Sequence, residues 1–153
     1  MAPFAKVLFD TNIYLRVLHS DSYERQHHAR FAQLAPRMYL CSVVAAEIYA
    51  GAHTVQSVRL VDRLLAPYLK SGRVVFPPHS DWVTMGKVVA IIVRQAPSYR
   101  SKLPALQNDI LIALSAKRCG ATLVTENEAD FVLIQRFVSF SLFPFPPPQL
   151  PSR

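Results

Sequence analysis

The stretch FAKVLFDTN, residues 4–12, joins a run of apolar residues directly to an acid. Residues Phe4 to Phe9 are short, nearly continuously apolar and rich in strand formers. This pattern is typical of a strand buried on both faces of a parallel sheet. Asp10 follows with no spacer. Because open α/β sheets bind ligands at the carboxyl ends of their strands, Asp10 is the first candidate for a functional site.

The rest of the chain continues as an alternation of short apolar runs and amphipathic segments, which predicts an α/β fold with a largely parallel sheet. Ser42 is a plausible N-cap for the third helix, and residues 98–103 read as a polar, basic loop. Further strands are predicted at 38–41, 73–76, 121–124 and 137–142, and helices at 11–18, 23–34, 43–53, 55–69, 81–95 and 104–118.

Two regions are predicted along the chain: a domain over residues 1–142 and a Pro-rich tail over residues 143–153. At 153 residues the chain is long enough for one domain with a sizeable core. Five prolines follow residue 142. Proline cannot donate to a sheet ladder, so the tail is expected to leave the sheet and to be loose.

The composition indicates a globular protein, with 51% hydrophobic and 18% charged residues. The longest unbroken apolar run, Val88 to Val93, is far too short for a membrane helix. The N-terminus does not have the pattern of a signal peptide, so a cytoplasmic protein without a membrane partner is expected. Cys41 and Cys119 read as small buried residues, and the adjacent His27 and His28 as surface residues.

The charge favours a polyanionic partner. The formal net charge is +7, and 12 of the 17 basic residues are Arg, whose forked guanidinium suits phosphate. Six of the ten acids belong to the candidate site or the loop beside it, so the remaining surface is strongly basic. The other four acids are Asp21, Glu24, Asp62 and Asp81.

Four acids occupy positions where an ordinary core would not place them. Asp10 follows a buried strand, and Asp130 comes shortly after the fourth strand. Glu47 and Asp109 are the only acids of their apolar helices. An unpaired carboxylate in an apolar setting costs several kcal/mol unless it is neutralised. Asp10 could simply cap the next helix, and Asp130 could lie on a solvated loop, but capping does not explain Glu47 or Asp109.

All four acids can meet in one crevice at the carboxyl edge of the sheet. Two carboxylates ~4 Å apart repel by ~4 kcal/mol at an effective dielectric constant near 20, so the cluster needs a counter-charge. Mg²⁺ or Mn²⁺ with oxygen ligands is the natural one. Such metals activate water and stabilise the oxygens of a phosphoryl displacement. Asp10, Glu47, Asp109 and Asp130 are therefore predicted to be both catalytic residues and metal ligands.

The acids lie in motifs that resemble those of the PIN-domain nucleases and, more narrowly, of the VapC-type toxins of bacterial toxin–antitoxin pairs. The resemblance covers most of the chain, in the family's order and spacing. The motifs are Phe9-Asp10-Thr11-Asn12, Ser42 with Glu47, Asn108-Asp109-Ile110-Leu111-Ile112-Ala113, and Thr125-x-Asn127-x-x-Asp130-Phe131.

The resemblance implies an α/β/α sandwich and a Mg²⁺- or Mn²⁺-dependent endoribonuclease that a cognate antitoxin neutralises. It implies that Asp10 and Asp109 are direct metal ligands and that Glu47 and Asp130 complete a ring of four acids around the metal. Asn12, Thr125 and Asn127 would support this ring of acids by hydrogen bonds. Many relatives carry an acid at the position of Asn127, so the number of metal ions stays open, as does a homodimer. Glu126 and Glu128 are read as solvated loop charges.

An RNA strand would need basic and stacking residues near the acids. The residues before the Asp109 helix that could hold it are Arg94, Tyr99, Arg100 and Lys102.

Three alternatives remain to be weighed against the nuclease. A phosphatase of the haloacid dehalogenase type also starts with an acid after its first strand, but it needs a second Asp where this chain has Asn12. A non-catalytic PIN-like module that binds RNA or protein is the more serious alternative. An interaction protein that uses its Pro-rich tail would leave the buried acids unexplained.

Overall fold

The computed structural model describes residues 4–146, which form five strands and seven α-helices. The strands are β1 (Val7–Phe9), β2 (Met38–Cys41), β3 (Val74–Val75), β4 (Thr122–Thr125) and β5 (Ser141–Pro144). The helices are α1 (Thr11–His19), α2 (Asp21–Leu34), α3 (Ser42–Ala50), α4 (Val55–Ser71), α5 (His79–Gln95), α6 (Leu103–Cys119) and α7 (Glu128–Gln135). Two short 3₁₀ segments lie at Ala35–Arg37 and Pro97–Lys102.

The strands form one parallel sheet in the order β3-β2-β1-β4-β5. The three residues of β1 lie at its centre and are buried, as the apolar run in the sequence predicted. The predicted α/β fold with a parallel sheet inside an α/β/α sandwich is therefore confirmed. The chain order reverses between β1 and β4, so a crevice opens there at the carboxyl edge. Asp10 lies at this point, and its backbone N–H bonds the carbonyl of Val124 at 2.9 Å.

Three local predictions were wrong. Ser42 is the first residue of α3 rather than its N-cap; Cys41 holds the cap position and makes no side-chain capping bond. The segment after β4 is not a loop throughout, because it forms α7 with Glu128 and Asp130 in its first turn, where acids suit the helix dipole. The predicted polar loop at 98–103 lies mostly in the 3₁₀ segment Pro97–Lys102.

The fifth strand starts later than predicted and runs into the predicted tail. Residues 141–144 pair with β4, with Thr125 opposite Pro144. A proline is tolerated there because it ends an edge strand. Phe145 is buried against Phe9, Phe31 and His27, so His27 is not a surface residue. Residues 147–153 of the predicted tail lie outside the described part of the chain.

Two further predictions concern the state of the cysteines and membrane-spanning helices. Cys41 is buried and Cys119 partly buried, and both thiols are free. No helix within residues 4–146 is long and apolar enough to cross a membrane.

Candidate active site

Asp10 is the buried centre of the site, with only 3% of its surface exposed. One carboxylate oxygen accepts the backbone N–H of Thr11 at 2.7 Å, so Asp10 does cap α1. The other oxygen accepts the Thr125 hydroxyl at 2.8 Å. Burial raises the pKa of Asp10, Glu47 and Glu126 raise it further, and these two hydrogen bonds only partly oppose that rise.

Glu47 ties three elements together from the second turn of α3. Its Oε1 accepts the side-chain amide of Asn108 at 2.9 Å, and its Oε2 accepts the hydroxyl of Thr11. Asn108 lies on α6 directly before Asp109, and Thr11 directly follows Asp10. Glu47 therefore links the β1–α1 junction to α3 and α6, and no basic residue of the described part of the chain forms an ion pair with it.

Asp109 is the acid of the site whose pKa is shifted furthest from its ordinary value. Burial raises its pKa first, and the charges of Asp10, Glu47 and Asp130 raise it further, to about 8. This coupling shows that the four predicted acids share one electrostatic environment. No Lys or Arg of residues 4–146 forms an ion pair with any of them.

Asp130 lies in the first turn of α7, so the solvated-loop alternative is wrong. Its two oxygens accept the side-chain amide of Asn127 at 2.9 Å and the hydroxyl of Tyr99 at 3.3 Å. The backbone N–H of Asn127 in turn bonds the Thr125 hydroxyl at 2.9 Å. The polar chain from Asp10 through Thr125 and Asn127 thus reaches Asp130. We call the following set the acid network: Asp10, Thr11, Glu47, Asn108, Asp109, Thr125, Asn127 and Asp130. Asp109 belongs to it through the charges of Asp10, Glu47 and Asp130, which act on its carboxyl group, and the other members are joined by hydrogen bonds or by adjacency along the chain.

The structure places the supporting residues differently from the prediction. Thr125 and Asn127 belong to the acid network, whereas Asn12 is exposed and forms no hydrogen bond with the four acids in the described residues. Thr11 and Asn108 were missed as supporting residues. The only signal for them was their position next to Asp10 and Asp109.

The reading of Glu126 as a solvated charge was wrong. The Arg16 guanidinium lies 2.8 Å from one of its oxygens, and the Tyr23 hydroxyl donates to the other at 2.7 Å. Only 15% of its side chain is exposed. Glu128 is exposed, as expected. Glu126 is thus neutralised by a cation beside the acid network.

The four predicted RNA-binding residues divide into two groups. Arg94, Arg100 and Lys102 are exposed, as residues that contact the phosphates of RNA must be. Tyr99 is partly buried and packs against the core, and its hydroxyl is held by Asp130. Its ring is therefore less available to a base than the sequence suggested.

The comparisons with known proteins agree with this geometry. The family model described as PIN domain matches residues 7–135, which include the whole acid network. The chain belongs to the PIN domain family. A search of curated protein sequences finds no significant match.

Solved structures share the fold of this PIN domain at low sequence identity. The VapBC2 complex of Rickettsia felis bound to promoter DNA matches with a TM-score of 0.62 and 23% identity, over 91% of this chain and 98% of that chain. FitAcB of Neisseria gonorrhoeae matches with a TM-score of 0.64 and 19% identity, over 90% and 96%. DNA-bound VapBC of Salmonella typhimurium matches with a TM-score of 0.63 and 19% identity, over 91% of this chain and 97% of that chain.

The donor set of this PIN domain suits a hard divalent cation. The acid network offers carboxylate, amide and hydroxyl oxygens, which are the ligands that Mg²⁺ and Mn²⁺ prefer. Within residues 4–146, no three His, Cys, Asp or Glu side chains converge closely enough to hold a metal ion as they stand. The carboxylates of Asp10, Glu47 and Asp130 instead accept neutral donors. The residues therefore fit the metal by the chemistry of their donor atoms.

Proposed function

We propose that this protein is a Mg²⁺- or Mn²⁺-dependent endoribonuclease of the VapC toxin type, neutralised by a cognate antitoxin. One observation carries the proposal: four acids from separate elements, one buried and three partly buried, lie close enough for the charges of Asp10, Glu47 and Asp130 to act on Asp109, and none of the four forms an ion pair with a Lys or Arg of residues 4–146. Burial, and then the charges of Asp10, Glu47 and Asp130, raise the pKa of Asp109 to about 8, which expresses the cost of this arrangement. A fold that needed these residues only for stability would pair them, as it pairs Glu126 with Arg16.

In this proposal Asp10 and Asp109 are the principal metal ligands, and Glu47 and Asp130 complete the ring. A bound divalent ion would lower the pKa of water and stabilise negative charge on a phosphoryl group. Thr125 and Thr11 fix the orientation of Asp10, while Asn108 holds Glu47. Arg94, Arg100 and Lys102 are exposed cations that would attract the phosphates of RNA.

Removal of metal tests the mechanism. We expect no cleavage of single-stranded RNA in EDTA and full recovery when Mg²⁺ or Mn²⁺ is added in excess. The readout is the appearance of new RNA ends on a sequencing gel, with a DNA strand of the same sequence in parallel. Cleavage that persists in chelator would disprove the metal mechanism. RNA binding without cleavage at any metal concentration would favour the non-catalytic module.

The antitoxin is the second part of the proposal. The similar solved structures are those of VapBC and FitAcB, which motivates a protein partner for this chain. An acid network without metal would accept an inserted Arg, because one guanidinium can pair two carboxylates at once. The net charge of +7 would attract an acidic partner segment.

Competition between the partner and the metal tests this part. We expect a protein encoded next to this chain to bind it and block cleavage, with affinity that falls as Mg²⁺ rises and as Asp109 is replaced by Asn. Isothermal titration at several Mg²⁺ concentrations measures both effects. An affinity that changes neither with Mg²⁺ nor with Asp109→Asn would place the inhibitor away from the acid network.

A further inference from the structure

A pocket of about 470 Å³ opens next to the acid network and shares residues with it. Its lining includes Glu47 and Asn108 of the acid network together with Phe76, Pro77 and Trp82. The volume is in the range of small-molecule sites. A ligand in this pocket would therefore lie in direct contact with the residues proposed to surround the scissile phosphate.

Two large aromatic side chains of this pocket are exposed. Trp82 is 51% and Phe76 67% exposed. Both are held on ordered backbone: Pro77 beside Phe76 is buried, and Trp82 lies in the first turn of α5, where its N–H reaches the carbonyl of Pro78 at 3.4 Å. The aromatic faces are thus presented to solvent by elements that do not need to reorganise before a ligand binds.

We infer that this pocket is a base-stacking subsite, in which Trp82 and Phe76 hold the base of a nucleotide flanking the cleaved bond. The inference rests on the proposed function. A phosphate at the acid network would place the neighbouring nucleotide within reach of the shared wall at Glu47 and Asn108. Aromatic faces bind every base by stacking, so this subsite supplies affinity and register without strict sequence preference.

The charge distribution favours a nucleotide over an apolar peptide in this pocket. A carboxylate on the wall would be costly to bury under an apolar side chain. A base carries polar edges that can face Glu47 and Asn108 while its faces stack. The strongly basic chain would draw the attached phosphates toward the site.

Trp82 is the only tryptophan of the chain, so its fluorescence reports on this pocket directly. The protein is titrated in EDTA with a single-stranded RNA of about 12 nucleotides, and with an equally long strand of abasic ribose phosphate. We expect the RNA to quench Trp82 and the abasic strand to leave its emission unchanged at saturation. Equal quenching by both strands, or none by either, would overturn the subsite.

Substitution separates stacking from charge. Trp82→Leu should weaken RNA binding by roughly 5- to 100-fold in an anisotropy assay, while Trp82→Tyr should retain most of the affinity. The abasic strand should bind both variants equally. Leu69→Ala removes an apolar side chain on α4 that is 67% exposed and does not line this pocket, and it is the control. Loss of affinity in Leu69→Ala, or none in Trp82→Leu, would contradict the inference.

Two further measurements distinguish the base-stacking subsite from an interface between two copies of the chain and separate its test from that of the proposed nuclease activity. A change in the sedimentation coefficient of the RNA-free protein on Trp82→Leu would show that a second copy covers this face, and the subsite would be wrong. With Mg²⁺, Trp82→Leu should raise KM for RNA with kcat nearly unchanged. If no variant cleaves RNA but the fluorescence results hold, the nuclease proposal fails and the base-binding pocket stands.

Discussion

Two regions of this molecule bury acids in opposite ways. Asp81, in the first turn of α5, is 6% exposed, and the Arg118 guanidinium donates to both of its oxygens at 2.7 and 2.9 Å. Asp10, in the acid network, is as deeply buried, but within residues 4–146 its oxygens accept only a hydroxyl and a backbone N–H. The fold thus supplies a cation for one buried carboxylate and withholds it from the other.

The difference separates a structural acid from a functional one. A paired carboxylate joins the start of α5 to the last turn of α6, and breaking the pair would leave a buried charge. Unpaired carboxylates raise each other's pKa, so the folded protein carries a cost that a bound cation would relieve. Burial alone therefore does not identify a site; burial without a counter-charge does.

The largest expected effect comes from neutralising the unpaired acids. Asp10→Asn and Asp109→Asn should each reduce RNA cleavage on the order of 10³-fold or more, because a metal ligand is lost. The metal-free proteins should keep their melting temperature or gain slightly, since each change is nearly isosteric and relieves repulsion between the acids once they are ionised. A cleavage assay and thermal unfolding in EDTA measure the two effects.

Asp62→Asn is the control for that experiment, because it removes the same charge from an exposed acid on α4. It should change neither cleavage nor stability appreciably. Retained cleavage together with a large loss of metal-free stability in the Asp10 and Asp109 variants would make these acids structural.

The second effect is a pH dependence that the paired acid does not share. The pKa of Asp109 is about 8 in the folded chain and near 3.8 when unfolded. Between these values the unfolded chain has released a proton that the folded chain retains, so metal-free stability falls as pH rises from about 4 to 8. Asp109→Asn should flatten this slope and exceed wild type at pH 9 by an amount on the order of 5 kcal/mol.

Chemical denaturation in EDTA at several pH values gives that slope. Parallel curves for wild type and Asp109→Asn would mean that Asp109 titrates normally. Because metal binding must displace the proton, the apparent Mg²⁺ affinity of wild type should also rise as pH approaches 8.

The sequence predicted the parts of this molecule that local patterns determine. The apolar run of β1 and the helical spacing of α5 and α6 report burial directly, so their positions were predicted within a few residues. Asp10 and Asp130 stood out because they follow predicted strands, and Glu47 and Asp109 because each is the only acid of an apolar helix. Roles as metal ligands stay predictions, since they depend on how side chains respond to an ion.

The parts that failed depend on contacts between distant segments. The prolines after residue 142 outweighed the apolar Phe143 and Phe145 in the prediction, yet Phe145 finds its partners on β1 and α2. Glu126 looked solvated because Arg16 lies far from it in sequence. The pairing of Asp81 with Arg118 spans 37 residues and has no local signal.

The smallest expected effect is the opposite of the first: loss of the paired acid should lower stability and leave cleavage nearly unchanged. Asp81→Asn should lower the melting temperature by about 5 °C, because the charge-assisted hydrogen bonds from Arg118 weaken and the guanidinium loses its counter-charge. RNA cleavage by the folded variant should stay within about twofold of wild type, since Asp81 lies outside the acid network. Thermal unfolding and cleavage well below the transition are measured on the same preparation, with Asp62→Asn beside it. Loss of cleavage at unchanged stability would put Asp81 in the reaction, and the contrast between paired and unpaired acids would no longer distinguish structure from function.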